Sequence, residues 1–327
     1  MIAPTTGPGR RRRWITRTGV FIVLFLAGVA LLAPLLASNR PLLVIEPAGL
    51  RWPAFSSAPE YQHLRPDHFR NLRSEDEVRM WMPPVPYHPD EIDWEALLAP
   101  PSARHWLGTD DQGRDVLARL IHGTQVSLLV GLVPAAIYLP LGIFLGTLAG
   151  YRGGRTDLAI CRIMEVTECF PQLFLYLTIM AFLGPGLANL LLLFGLLGWT
   201  GVARVVRGEM LRLRGRDHVL AAQALGFGPA RIMWRHLLPH ATAPLLVLVV
   251  FRIAGTITAE VGLSFLGFGV QPPTASWGSM LAVGHEYLTV PGCAHLATCP
   301  GLAILVAVLG YNLVGEGLRD LADPRMP

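Results

Sequence analysis

Six long apolar stretches constrain the fold of this sequence more than any other feature. A helix needs roughly 20 apolar residues to cross a bilayer, and backbone groups inside lipid must hydrogen-bond within their own segment. Only 15% of the 327 residues are charged, whereas a soluble domain has about 25%. The sequence therefore predicts an all-α integral membrane protein with six transmembrane helices. The stretches lie at about 19–38, 126–150, 158–183, 189–206, 241–263 and 300–314.

The second apolar stretch carries a glycine at every fourth position, at Gly142, Gly146 and Gly150. Small residues at this spacing allow two helix backbones to approach closely in lipid. We therefore expect this helix to pack tightly inside a bundle.

A basic N-terminus, with Arg10–Arg13 and Arg17, precedes the first apolar stretch. A basic region before an apolar run is also typical of a cleavable signal peptide, which remains an alternative. The run is long for a signal peptide and no clean cleavage site follows it. We therefore favour an uncleaved first helix with its N-terminus in the cytoplasm.

Arginine is distributed unevenly among the segments that connect the apolar stretches. The segments 151–155, 204–235 and 315–325 contain arginine, whereas 184–188 and 264–299 contain none. Because cytoplasmic loops are enriched in positive residues, this distribution predicts that both termini are cytoplasmic. The predicted divisions are a basic cytoplasmic N-terminus (1–18), a first transmembrane helix (19–38), an extracytoplasmic insertion with an interfacial helix (39–122), a transmembrane domain of five helices (123–315) that includes a cytoplasmic loop (208–240), and a cytoplasmic tail (316–327).

Lysine is absent, so all 27 basic residues are arginine. A phosphate-binding loop of the GxxxxGK[ST] type needs its lysine to reach the phosphates. The chain therefore has neither such a loop nor a catalytic lysine. The net charge of +4 is small and concentrated in predicted cytoplasmic segments, so we expect no nucleic-acid binding.

The segment 39–105 differs in composition, with eleven prolines and several aromatic residues. Such a composition favours an irregular extramembrane insertion. The spacing of His63, His68, His88 and His105 matches no metal site, so we expect solvated loop histidines.

The segment 106–123 follows this insertion. Leu117, Leu120 and Ile121 lie on one face of a predicted helix. We expect Arg114, Asp115 and Arg119 to stay on its polar side, which would place the helix at the membrane interface.

The loop 264–299 contains residues that suggest other chemistry. His285, Glu286 and His295 do not have the HExxH spacing of a zinc enzyme, so we favour ordinary loop residues. Cys293 and Cys299 lie close together in this loop, and either a disulfide or two free thiols is compatible with their spacing.

Charged residues inside the apolar stretches are functional candidates, because a charge in lipid is costly. Glu165 and Glu168 lie near a cytoplasmic end, where solvation or pairing with arginine is at least as reasonable, and Pro171 should kink that helix. Arg252 and Glu260 are eight residues apart, or about 12 Å along a helix. They are too distant to pair, so each should meet another helix or a water-filled path.

The segment 217–240 predicts a short helical hairpin on the water side of the membrane. Asp217 suits a helix N-cap, and a run of helix-forming residues follows it. Gly226 suits the left-handed position after a helix end, and Pro229 suits the first position of a second helix, which Pro239 should end. Small residues in the first helix would let a partner come close.

This hairpin resembles the EAA loop of ABC-transporter permeases, in which Glu-Ala-Ala is followed at fixed spacings by Gly and Leu-Pro. Two positions depart from the pattern: Leu220 replaces its Glu, and His236 replaces an Ile that lies two residues before the Leu-Pro pair. The resemblance implies that the hairpin docks into an ATPase subunit. The implied coupling residues are Ala221, Ala222, Leu225, Gly226, His236, Leu238 and Pro239.

Three further segments resemble the C-type subunits of dipeptide and oligopeptide permeases. They are LGTDDQGRDVLAR at 107–119, EVGLSFLGFGVQPP at 260–273 and GEGLRDLADPR at 315–325. The opening of the insertion, SNRPLL at 38–43, resembles the extended microcin C-type subgroup.

The resemblance implies a permease subunit of an ATP-driven importer in a bacterial inner membrane, forming half of a path for peptides or peptide-like solutes. The implied partners are a sister permease, two ATP-binding cassette ATPases that bind the ATP, and an extracytoplasmic solute-binding protein. We expect no cofactor, metal or catalytic residue in this chain, and Arg252 and Glu260 are the path or gate candidates. Nickel or an oligosaccharide remains an alternative cargo, and a stand-alone carrier or a membrane metalloenzyme remains an alternative function.

Overall fold

The computed structural model describes residues 8–46, 49–52 and 79–322. His63, His68 and the last part of the tail, 323–327, lie outside the described residues. The helices are α1 (Pro8–Leu36), α2 (Val116–Leu132), α3 (Ala135–Arg152), α4 (Gly154–Glu168), α5 (Gln172–Leu183), α6 (Leu187–Leu197), α7 (Trp199–Leu213), α8 (Asp217–Ala224), α9 (Thr242–Phe265), α10 (Trp277–Glu286) and α11 (His295–Ala322).

Five helical segments are long and apolar enough to cross a membrane. Taken together, α4 and α5 are also long and apolar enough to form a sixth span, although the two helices meet at an angle of 83°. The described chain thus confirms the all-α membrane fold, with six spans if this bent pair crosses once. The break falls at Pro171, as expected. The five segments are Trp14–Leu36, Val116–Arg152, Leu187–Leu213, Pro229–Phe265 and His295–Leu321.

The described chain forms two compact units. The first comprises the described parts of Met1–Val23, Leu129–Gly269 and Leu305–Pro327, and the second comprises those of Leu24–Leu128 and Val270–Ile304. The functional candidates on the hairpin and in the fifth span all belong to the first unit.

Close packing of α3 against α7 forms the centre of the first unit. A Cβ atom at Gly146 would lie 2.5 Å from the carbonyl oxygen of Ala203, and one at Gly150 would lie 2.5 Å from Cβ of Met210. The glycine repeat therefore does bring two helix backbones together, as the spacing predicted. An ion pair between Arg207 and Asp157, with Nη2 to Oδ2 at 2.8 Å, ties α7 to α4.

The second unit contains strands that the sequence did not predict. β1 (Leu43–Glu46) pairs antiparallel with both β2 (Gly49–Arg51) and β3 (Arg79–Trp81). The insertion is therefore less irregular than its proline content suggested. Prolines flank these short strands, where the lost N–H donor does not interrupt the ladder.

Buried ion pairs stabilise the segment before α2 and the first turn of α2, and two expectations about this region were wrong. The Arg114 and Arg119 guanidinium groups lie 2.8 Å and 3.4 Å from Oδ2 of Asp110, and all three residues are buried. His105 is also buried, with Nδ1 2.9 Å from Oδ2 of Asp115. These side chains therefore neither face solvent nor form a separate interfacial helix, because mutual pairing compensates their burial.

Asp111 lies beside this cluster, and the burial of its negative charge is less well compensated by arginine than that of Asp110. Burial raises the pKa of its carboxyl above the ordinary value, and the neighbouring Asp110 carboxylate adds to the rise. The other expected loop groups differ in environment: Cys293 is buried, Cys299 is half-buried, and both carry free thiols rather than a disulfide.

Candidate functional site

The hairpin begins with α8, which ends in a hydrogen-bonded turn at Gly226. Gly226 has a φ of 76°, in the left-handed region that the sequence predicted. Its N–H donates to the carbonyl of Gln223, and the N–H of Phe227 donates to the carbonyl of Ala222. These two bonds form a Schellman motif, which satisfies the last carbonyls of the helix and fixes the turn.

Three local details of the hairpin differ from expectation. Asp217 is the first helical residue and Arg216 is the N-cap, without a side-chain capping bond. The second arm begins at Pro229, as predicted, but it continues as a π-helical turn over Ile232–Leu237. Pro239 then lies inside a 3₁₀ turn that leads into α9, so it does not end the helical path. A 3₁₀ segment tolerates proline near its start, where no N–H partner is needed.

The inner face of the hairpin is apolar and packs into the core of the first unit. Val219, Ala222, Ile232 and Leu237 are buried there, and the same core includes Met210 of α7. Ala222 is only 4% exposed. The prediction that Ala222 offers a docking surface was therefore wrong, because the periodicity of α8 turns it inward while Ala221 is exposed.

The outer face of the hairpin exposes large apolar side chains at its tip. Leu225 is 73% exposed, directly before the Gly226 turn, and Trp234 on the second arm is 48% exposed. Behind them, the Arg231 guanidinium lies 4.3 Å from the ring centre of Phe227, which also stacks on His236. His236 and Leu238 are half-buried, so they belong to the layer behind the exposed tip more than to the outer surface.

A second candidate site is a polar cavity at the break between α4 and α5. Its volume is about 350 Å³, within the range of about 300–1,000 Å³ typical of small-molecule sites. Arg252, which the sequence singled out because a charge in lipid is costly, is one of the residues that line this cavity. The lining residues are Thr167, Glu168, Phe170, Pro171, Gln172, Leu175, Leu197, Thr200 and Arg252.

The guanidinium of Arg252 is held between two other helices. Its carbon lies 5.6 Å from the ring centre of Tyr138 on α3, a cation–π distance. It also lies across Gly201 of α7, where an added Cβ atom would be 2.8 Å from Nη2. Among the described residues, the ion pairs do not include one that joins a carboxylate to Arg252.

Glu260 lies apart from this cavity. It is 1% exposed and accepts a hydrogen bond of 2.8 Å from Oγ of Ser264 on the same helix. The cavity lining does not include it. The structure therefore separates the two charged residues of α9, as their spacing predicted. Glu165 and Glu168 pair with Arg162 and Arg204, as the arginine-paired alternative predicted.

The sequence contained no signal for most of the other residues that line the cavity or contact Arg252. Thr200, Gln172, Tyr138 and Gly201 are ordinary residues within apolar helices, and only the break at Pro171 gave a local signal. The described chain contains no cluster of three or more His, Cys, Asp or Glu side chains that could hold a metal ion.

The fold and these two sites define a polytopic helical membrane protein with a short helical hairpin between α7 and α9. Residues 142–327 match the model of the family described as "Binding-protein-dependent transport system inner membrane component". The chain belongs to this family. It is thus a multi-pass inner-membrane permease subunit of an ABC importer, a class that works with ATPases and a substrate-binding protein.

Two curated relatives cover most of the chain. The di/tripeptide transport system permease protein DppC of Pseudomonas aeruginosa (strain UCBPP-PA14) is 41% identical over 74% of this chain and 81% of its own length. The oligopeptide transport system permease protein OppC of Bacillus subtilis (strain 168) is 37% identical over 69% of this chain and 74% of its own.

One solved structure supports the fold. The MetNI methionine ABC transporter, in an inward-facing conformation, contains a chain that is similar to this one with a TM-score of 0.51 and 17% identity. The similarity covers 63% of this chain and 97% of that chain. At this identity the similarity concerns the arrangement of helices alone.

Proposed function

We propose that this chain forms half of the path through which an ABC importer moves peptides or peptide-like solutes. The names of the curated relatives, which include di/tripeptide and oligopeptide permeases, support this class of solute. The complete transporter contains this chain, a sister permease, two ATPases that bind the ATP, and an extracytoplasmic solute-binding protein. This chain performs no covalent chemistry, and both of its termini are cytoplasmic.

The hairpin transmits the movement of an ATPase to the membrane helices. The observation that carries this proposal is the contrast between its two faces. Leu225 is exposed at the tip, while Val219, Ala222 and Leu237 anchor the other side in the core beside α3 and α7. A fixed turn with an apolar tip can dock into a cleft and shift the helices behind it without deforming.

A cysteine cross-linking experiment tests this assignment. The four native cysteines are first replaced, and Leu225→Cys or Ala222→Cys is then introduced into the complete complex. We expect a maleimide that carries a photoreactive benzophenone, attached to the Leu225→Cys thiol, to cross-link to the ATPase on irradiation, whereas the buried Ala222→Cys stays unlabelled and unlinked. The coupling assignment fails if the Leu225→Cys thiol is labelled only from the extracytoplasmic side, or if both variants react alike.

Import by the reconstituted complex tests the solute class separately. We expect the complex, supplied with its binding protein and ATP, to accumulate labelled dipeptides or oligopeptides in liposomes. A complex that hydrolyses ATP with coupling intact but imports none of these peptides would remove the peptide assignment and leave the coupling assignment standing.

A further inference from the structure

The cavity between α4 and α5 has a positive side chain that the described chain does not neutralise. The lining also includes Glu168, whose carboxylate is paired with Arg204, a residue outside the lining. Arg252 instead contacts the face of Tyr138 and lies across Gly201, neither of which carries a charge. An arginine in an apolar helix is costly unless an anion or water meets it. Of the two charged residues in the lining, the Glu168 carboxylate is thus paired with Arg204, whereas Arg252 has no carboxylate partner among the described residues.

The backbone at the break adds to this positive potential. α5 begins at the cavity, with Pro171 as its N-cap and Gln172 as its first residue, and no side chain caps it. The first N–H groups of a helix have no intrahelical partner and point along the positive end of its dipole. Arg252 and this uncapped helix start are independent features that favour an anion in the same cavity.

The rest of the lining suits a small organic anion better than an inorganic ion. Phe170, Leu175 and Leu197 provide apolar surface beside Arg252, and the hydroxyl-bearing residue Thr200 lies close to them. An arginine guanidinium binds a carboxylate through two parallel hydrogen bonds. Apolar surface next to such a group accommodates the remaining carbon atoms of the solute.

We propose that this cavity binds the carboxylate of the transported solute as it crosses the membrane, and that Arg252 is the residue that contacts it. This inference rests on the proposed function, since it concerns a solute that passes through this chain. It narrows the solute class to peptides or related molecules with a free carboxylate, and it gives Gly201 the role of making room for the guanidinium.

The direct test measures binding to the complete permease–ATPase complex in nanodiscs without the solute-binding protein, whose own selectivity would otherwise mask the effect. The probes are alanyl-alanine and alanyl-alaninamide, which differ at the carboxyl group. We expect weak, saturable binding of alanyl-alanine, with the amide bound at least about tenfold more weakly, as the loss of a charged hydrogen bond implies.

Variants at position 252 and a matched control complete the test. We expect Arg252→Gln to weaken alanyl-alanine binding about tenfold and to abolish the difference between the two probes. Arg252→Lys keeps the positive charge, so we expect it to retain part of the difference in affinity between alanyl-alanine and its amide. The control is Arg162→Gln, which removes an exposed arginine of α4 away from the cavity and changes neither affinity.

Three outcomes overturn the inference. They are no saturable binding of alanyl-alanine, equal binding of acid and amide by the unaltered protein, or an equal loss for both probes in Arg252→Gln. The last outcome indicates that Arg252 has a structural role, such as pairing with the sister permease. If peptide import by the unaltered complex persists, the proposed function stands without this inference.

Discussion

The hairpin and the break between α4 and α5 are both interruptions of helical structure next to proline or glycine, but they differ in what surrounds them. In the hairpin, backbone hydrogen bonds close the turn at Gly226, and apolar residues fill its inner face. At the break, no side chain caps α5, and polar residues line an open volume. Apolar packing thus closes the hairpin against the core, whereas polar residues at a similar interruption leave a cavity.

The largest expected effect separates the two faces of the hairpin. Ala222→Asp places an unpaired carboxylate in the core, which should destabilise the protein by roughly 3–5 kcal/mol and reduce its folded yield. Ala221→Asp, one residue away on the exposed face, should leave the thermal stability of the purified chain nearly unchanged and lower ATPase stimulation. Equal melting temperatures for the two variants would contradict the inward orientation of Ala222.

A smaller effect tests the turn of the hairpin. Gly226→Ala puts a side chain at a φ of 76°, which costs about 1–2 kcal/mol. Gly228 lies two residues further on with a φ of −65°, and neither glycine has a neighbour within 4 Å of an added Cβ. Gly228→Ala is therefore the matched control. We expect only Gly226→Ala to weaken coupling, measured as peptide-stimulated ATP hydrolysis in the complex.

A further loss of coupling is expected from Gly226→Asp. The substitution combines backbone strain with a charge beside the apolar tip, so it should abolish stimulation while membrane insertion stays intact. Protease protection of the inserted chain checks the insertion. Unchanged transport by this variant would show that the hairpin tip does not contact the ATPase.

The smallest effect sharpens the assignment of charge at the cavity. Glu168→Gln removes the carboxylate that pairs with Arg204, both of which are partly exposed. Such pairs contribute less than about 1 kcal/mol, so stability should hardly change. The freed positive charge should raise the affinity for alanyl-alanine by about twofold to fivefold. It should not raise the affinity for the amide, which has no carboxylate and carries a net positive charge. An equal rise in affinity for both probes would indicate that the substitution changes the shape of the cavity and not its charge.

The sequence predicted local features of the hairpin and of the break between α4 and α5 better than their tertiary contacts. Gly226 and Pro229 were placed correctly because a left-handed turn and a helix start are decided by local backbone sterics. The inward orientation of Ala222 was not predicted, since it depends on core residues of other helices. Arg252 was predicted to need a partner or a water-filled path, yet its placement across Gly201 and against Tyr138 joins residues more than fifty positions apart.

The region around the start of α2 shows the same limit. Arg114 and Arg119 were expected on a polar surface because isolated charges are costly to bury. In the fold they share Asp110, and this pairing allows burial. The strands β1 to β3 were likewise missed, because their ladder joins short segments that give little periodic signal by themselves.

The sequence by itself determined the membrane-spanning class, the left-handed turn of the hairpin and the family, because apolar length, backbone sterics and motif spacing are properties of contiguous residues. Only the tertiary structure decided which face of the hairpin is available to a partner and which buried charges are compensated. Both depend on side chains that meet across long separations in the chain, where burial and pairing set the free energy of a charge or an exposed apolar group.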